Sequence, residues 1–406
     1  MNYREALAWL YSLQRFGIKL GLENMHRLLG VLALQDRQCR VIHVAGTNGK
    51  GSVCAMIDSI LRAQNYRAGL FTSPHLITFR ERIRINGEMV SEQAVADQIT
   101  MISRLVRDWQ PHPTFFEIVT ALALKVFAES SLDVVVLETG LGGRLDATNA
   151  VSSDVSVITP IALDHQKWLG DSISKIASEK AGIIKPEVPV VSSCQQFEAE
   201  KVIRQRATEC KAPVRFISEA YEQSPIALRG SHQKHNAALA IAALRAAKID
   251  IDEPTIVRGL ASVEWPARFQ LWDERTVIDG AHNPAAARIL SETWRDVFPG
   301  HRATLILAVL ADKDLSGICD ALLPISDFVL FPKIRSERAA DPGELAQILS
   351  SIIPPLPYSV SPSIGDAINS ARSRPNRILL TGSLHFAGEA LAFLQGIPAA
   401  FEECAQ

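Results

Sequence analysis

A chain of 406 residues with 47% hydrophobic and 21% charged residues is too long for one ordinary core and suits two globular domains. Its formal net charge of −2 gives no electrostatic reason to expect nucleic acid or an anionic membrane as partner, and no stretch approaches the roughly 20 uncharged apolar residues of a membrane span. Six cysteines are scattered without a C-x-x-C pair or metal-ligand spacing, and MNYREALAWLYSLQRF at the start is no signal peptide, so a reducing, cytoplasmic compartment is expected.

Short apolar runs alternate with helical patterns. The first run, 41–45 (VIHVA), leads into GTNGKGS and an amphipathic segment over 52–64. Then come 68–72 (AGLFT), helical patterns over 92–108 and 115–129, the runs 133–137 (DVVVL) and 155–159 (VSVIT), a helix over 172–184 and the run 189–192 (PVVS). Continuous apolar strands separated by helices predict an α/β fold with a parallel sheet covered on both faces. VEWPARFQLW (263–272) reads as a joint, and a second series follows it: 276–279 (TVID), 303–310 (ATLILAVL), 327–331 (DFVLF) and 377–381 (RILLT).

In open parallel sheets ligands sit beyond the carboxyl ends of the strands, so the residues that follow each strand are the candidates. The loop after 41–45 is rich in glycine but fails the Walker A spacing, since two residues separate Gly46 from Gly49-Lys50 and an extra Gly51 precedes Ser52. A strand–loop–helix context with a lysine inside still suits phosphate, through backbone N–H groups, the helix dipole and the Lys50 charge. The bland alternative is a ligand-free glycine turn. Strand 68–72 delivers Ser73-Pro74-His75, strand 133–137 delivers Glu138, Thr139 and GLGGRLDATN, and strand 155–159 delivers Thr159 and then Asp164-His165. Such oxygen ligands suit Mg²⁺ bridging nucleotide phosphates. Taken singly, Ser73 reads equally as a turn cap and His165 as a surface imidazole. Glu138 is harder to dismiss, because an unpaired buried carboxylate is costly.

Thr114 and Glu117 have the T-x-x-E spacing of a capping box, and Phe115 and Phe116 beside them read as packing or as an aromatic substrate wall. Lys180 stands among Ile173, Ile176, Ala177 and Ile184 at helical spacing. Either it reaches out to solvent, or its amine is carbamylated into an anion able to hold a metal. Further on, Asp279, His282 and Asn283 lie between a strand and a helix, as do Ser383 and His385. Either helix start could hold a carboxylate or phosphate, or these side chains are caps. Arg268, at the joint, is placed to reach across a cleft.

The motifs HVAGTNGKGSV, LFTSPHL, ETGLGGRLDATN, ALDH, SEKAGIIKP, WPARF and DGAHNP, in this order, resemble folylpolyglutamate synthase and the bifunctional dihydrofolate synthase/folylpolyglutamate synthase of the Mur ligase superfamily. The resemblance spans about residues 16 to 390. It implies an N-terminal P-loop-type parallel-sheet ATPase domain over 1–266 and a smaller C-terminal Rossmann-like α/β domain over 267–406. Gly49, Lys50, Gly51 and Ser52 would bind ATP phosphates, with Asn236, Arg268 and Asp279 as further ATP contacts. Ser73, Glu138 and His165 match Mg²⁺ ligands, Lys180 matches a carbamylated lysine, and a second Mg²⁺ is implied with it. Lys50, Lys180 and His165 carry the catalytic expectation. Lys19, Leu20, Gly21, Leu22, Thr114, Phe115, Phe116 and Leu145 match contacts to the pterin substrate.

The implied reaction is phosphorylation of a substrate carboxylate by ATP, followed by displacement of phosphate by the amine of L-glutamate. Dihydropteroate and reduced folates are the expected acceptors, and the family suggests a monomer. Ala267 in WPARF stands where the family commonly has glycine, which bears on loop geometry. A peptidoglycan-type Mur ligase would need an additional N-terminal domain. A P-loop kinase or GTPase leaves the second α/β series without purpose, and a non-catalytic ATP-binding protein need not keep both Lys50 and Glu138.

Overall fold

The run VIHVA lies in a strand, Arg40–Ala45, buried from its second residue onward, and its two flanking strands set the architecture. The computed structural model describes residues 1–17, 21–35, 39–350 and 356–402. Eight strands make the first sheet: β1 (Arg40–Ala45), β2 (Ala68–Phe71), β3 (Ile83–Ile85), β4 (Glu88–Met89), β5 (Val134–Glu138), β6 (Val155–Ile158), β7 (Val190–Ser193) and β8 (Val214–Ile217). Their order is β4-β3-β2-β5-β1-β6-β7-β8, parallel from β2 to β8, with the β3–β4 edge antiparallel. Strands β1, β2, β5, β6 and β7 match the predicted runs to within one residue at each end, because a strand covered on both faces reads as an uninterrupted apolar stretch. The antiparallel edge is missing from the prediction. Its signal is Asn86-Gly87, whose φ values of 52° and 84° make the two-residue hairpin turn.

Six helices matter to the site: α1 (Lys50–Ala63), α2 (Phe115–Ala128), α3 (Ile173–Ala181), α4 (Ser231–Ala246), α5 (Pro284–Val297) and α6 (Leu384–Leu394). Helices α1 and α4 cover one face of the sheet, where Val53, Ile57, Ile60 and Ala240 pack on Ile42 and Val136. Helix α2 covers the other, with Ile118 and Leu122 in one cluster with Val41, Val135 and Leu137. At its start Thr114 and Glu117 form the expected capping box.

The second sheet has the order β13-β12-β11-β14-β10-β9, built from β9 (Gln270–Leu271), β10 (Thr276–Ile278), β11 (Ala303–Leu307), β12 (Ser326–Pro332), β13 (Tyr358–Ser361) and β14 (Arg377–Thr381). It is parallel apart from the β9–β10 pair. The run predicted over 303–310 stops as a strand at Leu307: Ala308 N still donates to the Thr381 carbonyl at the end of β14, but the Val309 carbonyl turns away to accept from Ala340 N.

Residues 384–402 cross back to the first sheet. A Cβ on Gly388 would stand 1.9 Å from the carbonyl oxygen of Leu76, so α6 meets the 74–79 loop backbone to backbone. Glu402 then binds that loop. Its carboxylate accepts from Thr78 Oγ1 (3.1 Å) and Tyr3 Oη (3.2 Å), and its carbonyl accepts from His75 Nε2 (3.1 Å). Arg82 Nε donates to His75 Nδ1, which leaves the ring proton on Nε2 for Glu402. No described helix is long and apolar enough to cross a membrane.

Candidate functional site

Register brings the strand ends level. Val44 stands opposite Glu138, Ala45 opposite Ile158 and Phe71 opposite Leu137, so the loops after β1, β2, β5 and β6 emerge together. Strand β1 lies between β5 and β6, the position at which open α/β sheets bind ligands.

The β1 loop is shaped by two glycines. Gly46 has φ +148°, and a Cβ there would lie 1.8 Å from Thr159 Oγ1. Gly49, at φ +87°, is left-handed and forms the N-cap of α1. The helix therefore starts at Lys50 rather than near Ser52, because left-handed Gly49 has already ended the loop. The N–H groups of Thr47 and Asn48 both donate to the Pro160 carbonyl, which fixes the loop from below. Lys50 Nζ is 3.4 Å from the Thr47 carbonyl, and Ser52 is buried in the first turn. The free N–H groups of that turn, the helix dipole and an ammonium make a site for anionic oxygen.

Ser73 N donates to Glu138 Oε2 at 3.1 Å, and Ser73 Oγ is buried with no hydrogen-bond partner among the described residues. Burial pushes the Glu138 carboxyl up from the usual range, and the nearby Lys50 charge opposes that shift. An orphaned hydroxyl beside a buried carboxylate is an oxygen pair suited to Mg²⁺, which keeps waters for its other positions. Among the described residues no three His, Cys, Asp or Glu side chains gather into a ready cage. His165 lines the same cleft with its side chain 31% exposed, so it is not a free surface imidazole. Burial pushes its pKa down to about 4 against the pull of Asp164, which keeps the ring neutral and able to act as a ligand.

Lys180 does not reach out to solvent. It is 5% exposed, and its Nζ donates to the Gly46 carbonyl at 2.7 Å. The loop after β5 closes over α3 there, with the Gly143 backbone against the Glu179 and Lys180 carbonyls. Burial, then the Lys50 charge, push the Lys180 pKa down to about 7.

The second domain supplies the other wall. Asp279 accepts from Phe269 N (2.7 Å) and Ala281 N (2.8 Å), which ties the joint to the loop before α5. Ala267 adopts φ +56°, a left-handed conformation that favours glycine. Asn236 donates to Gln233 Oε1 at 2.9 Å. Gly49, Lys50, Gly51, Ser52, Ser73, Glu138, His165, Lys180, Asn236, Arg268 and Asp279 all line one cleft between the two sheets.

Among the described residues, the pterin contacts that the resemblance implies are not part of its lining. Lys19 and Leu20 lie outside the described residues. Gly21 and Leu22 precede a helix, and Leu145 is half-buried in the loop after β5. Thr114 is engaged in its cap, and Phe115 stacks on Tyr11 with ring centroids 5.7 Å apart. Phe116 comes nearest, since its ring fills the space behind Gly140, a cleft residue. Ser383 caps α6 and buried His385 meets the Phe401 ring edge-on, so only their neighbour Leu384 reaches the cleft.

Two residues have roles that the sequence reading leaves out. Asp146, inside GLGGRLDATN, accepts from Gly140 N (2.9 Å), Leu141 N (2.8 Å) and Thr148, and so holds the cleft wall. Lys313, from the loop after β11, pairs with Asp164 at 2.6 Å. A carboxylate two to eight residues past a strand end is a weak signal for the first. Nothing local marks the second.

Comparison with known proteins gives a consistent result. The Mur ligase middle domain matches residues 44–189, and the Mur ligase glutamate ligase domain matches residues 267–384. The dihydrofolate synthase/folylpolyglutamate synthase of Bacillus subtilis is 36% identical over 95% of this chain and 97% of its own length. Escherichia coli FolC in complex with DHPP and ADP is similar at a TM-score of 0.87 and 33% identity, over 96% of this chain and 98% of its own. The bifunctional folylpolyglutamate synthase/dihydrofolate synthase of Yersinia pestis, complexed with AMPPNP and Mn ion, is similar at 0.88 and 31%, over 97% and 98%.

Proposed function

The chain belongs to the folylpolyglutamate synthase/dihydrofolate synthase family of Mur ligases, and we propose that it joins L-glutamate both to dihydropteroate and to reduced folates at the expense of ATP. The observation that carries this reading is the cleft between the sheets, where a phosphate-type loop, a buried carboxylate and a buried lysine face the second domain's Arg268 and Asp279.

In the proposed reaction an acceptor carboxylate oxygen attacks the γ-phosphorus of ATP and the bond to the β-phosphate oxygen breaks, giving an acyl phosphate and ADP. The amine of L-glutamate then attacks the acyl carbon, the bond to phosphate breaks, and an amide and inorganic phosphate remain. Lys50 and the α1 N-terminus hold the phosphates and offset charge on the transferring group. Gly49, Gly51 and Ser52 contribute through the same turn, with Asn236, Arg268 and Asp279 completing the ATP site.

Ser73, Glu138 and His165 are the residues that would hold Mg²⁺, and Lys180, once carbamylated, would hold a second. A bound divalent ion would supply charge neutralisation at the phosphates. Gly21, Leu22, Leu145 and the 114–116 turn, with Lys19 and Leu20, are assigned to the pterin end of the acceptor, with Phe116 nearest the cleft wall. Residues 1–266 and 267–406 are taken as the two domains, in a monomer acting in the cytoplasm.

The deciding experiment is ADP release by purified protein with Mg²⁺, ATP and L-glutamate, with dihydropteroate or tetrahydrofolate supplied in parallel. Release with both is expected. Release with tetrahydrofolate alone would leave a dedicated polyglutamylating enzyme, and release with neither from folded protein would overturn the substrate.

A further inference from the structure

Asp164 is the point at which the second domain meets the reactive edge of the first. Its side chain is 5% exposed. Oδ1 accepts from His165 N (2.8 Å) and Lys313 Nζ (2.6 Å), while Oδ2 accepts from Asn283 Nδ2 (3.1 Å) and faces His282 Nε2 at 3.5 Å. Three of these four groups belong to the second domain, from the loops after β10 and β11.

Lys313 is equally enclosed, at 6% exposure, and Asp164 is its one partner among the described residues. Two such charges stay out of water only if they stay together, because either alone would be an uncompensated buried ion. If the domains separate here, both re-enter water. The pair is therefore formed in the docked arrangement and lost outside it.

Docking also reaches the phosphate loop. Asn283 caps α5 and exchanges two hydrogen bonds with Asn48, at 3.3 and 3.0 Å. The same amide thus touches the loop before Lys50 and the carboxylate before His165. On another side of the interface, Leu76 and Gly388 meet backbone to backbone and Glu402 ties the 75–79 loop.

We propose that Asp164 and Lys313 are positioning residues, a buried latch that seats the second domain so that Asn283 and His282 complete the site around Lys50 and His165. The pair acts through the arrangement of the loops rather than on the reacting atoms. The turnover part of the test rests on the ligase reading above, and the exchange part does not.

The test compares the full-length chain with Lys313→Met and Lys313→Arg in two measurements. In steady-state turnover, Lys313→Met is expected to lower kcat by about tenfold or more with KM for ATP within about threefold, and Lys313→Arg to recover most of kcat. In backbone hydrogen exchange, Lys313→Met is expected to speed exchange at 47–51 and 281–286 by about tenfold, with the strands of both sheets unchanged. A Lys313→Met chain with kcat within about twofold of the parent, or with unchanged exchange at both segments, overturns the latch. If the parent itself shows no turnover, the ligase reading fails and exchange alone decides the latch. If Lys313→Met does not fold, Asp164→Asn/Lys313→Met, which buries no charge, takes its place with the same expectations.

Discussion

Lys180 Nζ donates to the carbonyl oxygen of Gly46 at 2.7 Å, joining residues 134 positions apart. The contact places an amine directly beneath the phosphate loop. Its pKa is pushed down to about 7 by burial and then by Lys50, so the neutral form is abundant just above neutrality. Only a neutral amine attacks carbon dioxide. With ¹³C-bicarbonate, a carbamate resonance is expected to grow as pH rises from about 6 to about 8 and to be absent from Lys180→Met. A resonance of equal size in the variant would remove Lys180 from this role.

His43 predicts an acid-stability slope. It is 1% exposed in β1, and its Nε2 lies 2.8 Å from Thr148 Oγ1, whose own proton goes to Asp146. Burial, then the Lys185 charge, push its pKa down to about 3, whereas the unfolded chain takes up that proton near 6.5. Unfolding therefore binds a proton between these values, and stability falls as pH drops through that window. Denaturant unfolding across the window is expected to show a slope for the parent that exceeds that of His43→Gln by about 1.4 kcal/mol per pH unit. Parallel slopes would refute it.

Ala267, at φ +56°, sits in a conformation that an L side chain adopts at a cost. Ala267→Gly is expected to raise unfolding stability by about 0.5–1 kcal/mol, the left-handed strain relieved less the extra entropy of an unfolded glycine. Chemical denaturation checks it, and a destabilised variant would mean that the methyl packs better than the strain costs.

Gly46→Ala is expected to weaken ADP binding by about tenfold or more, measured by titration calorimetry. The added methyl would fall 1.8 Å from Thr159 Oγ1 and force the loop off the sheet. Unchanged affinity would show that the loop can shift without loss of its phosphate contacts.

Thr114→Ala separates a cap from a substrate contact. The Thr114 hydroxyl donates to Glu117 Oε2 at 2.9 Å and accepts from Glu117 N at 3.3 Å, so its hydrogen bonding is already used. A stability loss of about 1 kcal/mol is expected, with the acceptor KM within about twofold, since the backbone and the phenylalanine rings of the 114–116 turn, and not this hydroxyl, are left to meet the pterin. A large rise in KM at unchanged stability would instead place the hydroxyl on substrate.

The sequence displays what is local or periodic. Strands β1, β2, β5 and β6 are legible because burial on both faces writes an unbroken apolar run, and their ends then point to Lys50, Ser73, Glu138 and His165. The Thr114–Glu117 box is legible because both partners lie within one turn. Lys180 is half legible. Its helical phase puts it among isoleucines, but its long stem permits solvent or burial until the Gly46 carbonyl decides. Lys313 is not legible, because its partner is 149 residues away and nothing in ADKD distinguishes it from a surface lysine.

Glu402 ties Tyr3, His75 and Thr78 together. During synthesis those partners leave the ribosome more than three hundred residues ahead of it. The strands of the first sheet can pair while translation continues, but the loop next to Ser73-Pro74 receives the hydrogen bonds of Glu402 only once residue 402 has left the ribosome. A nascent chain can therefore carry a paired first sheet whose rim stays unfinished until that one glutamate, more than three hundred residues behind its partners, emerges.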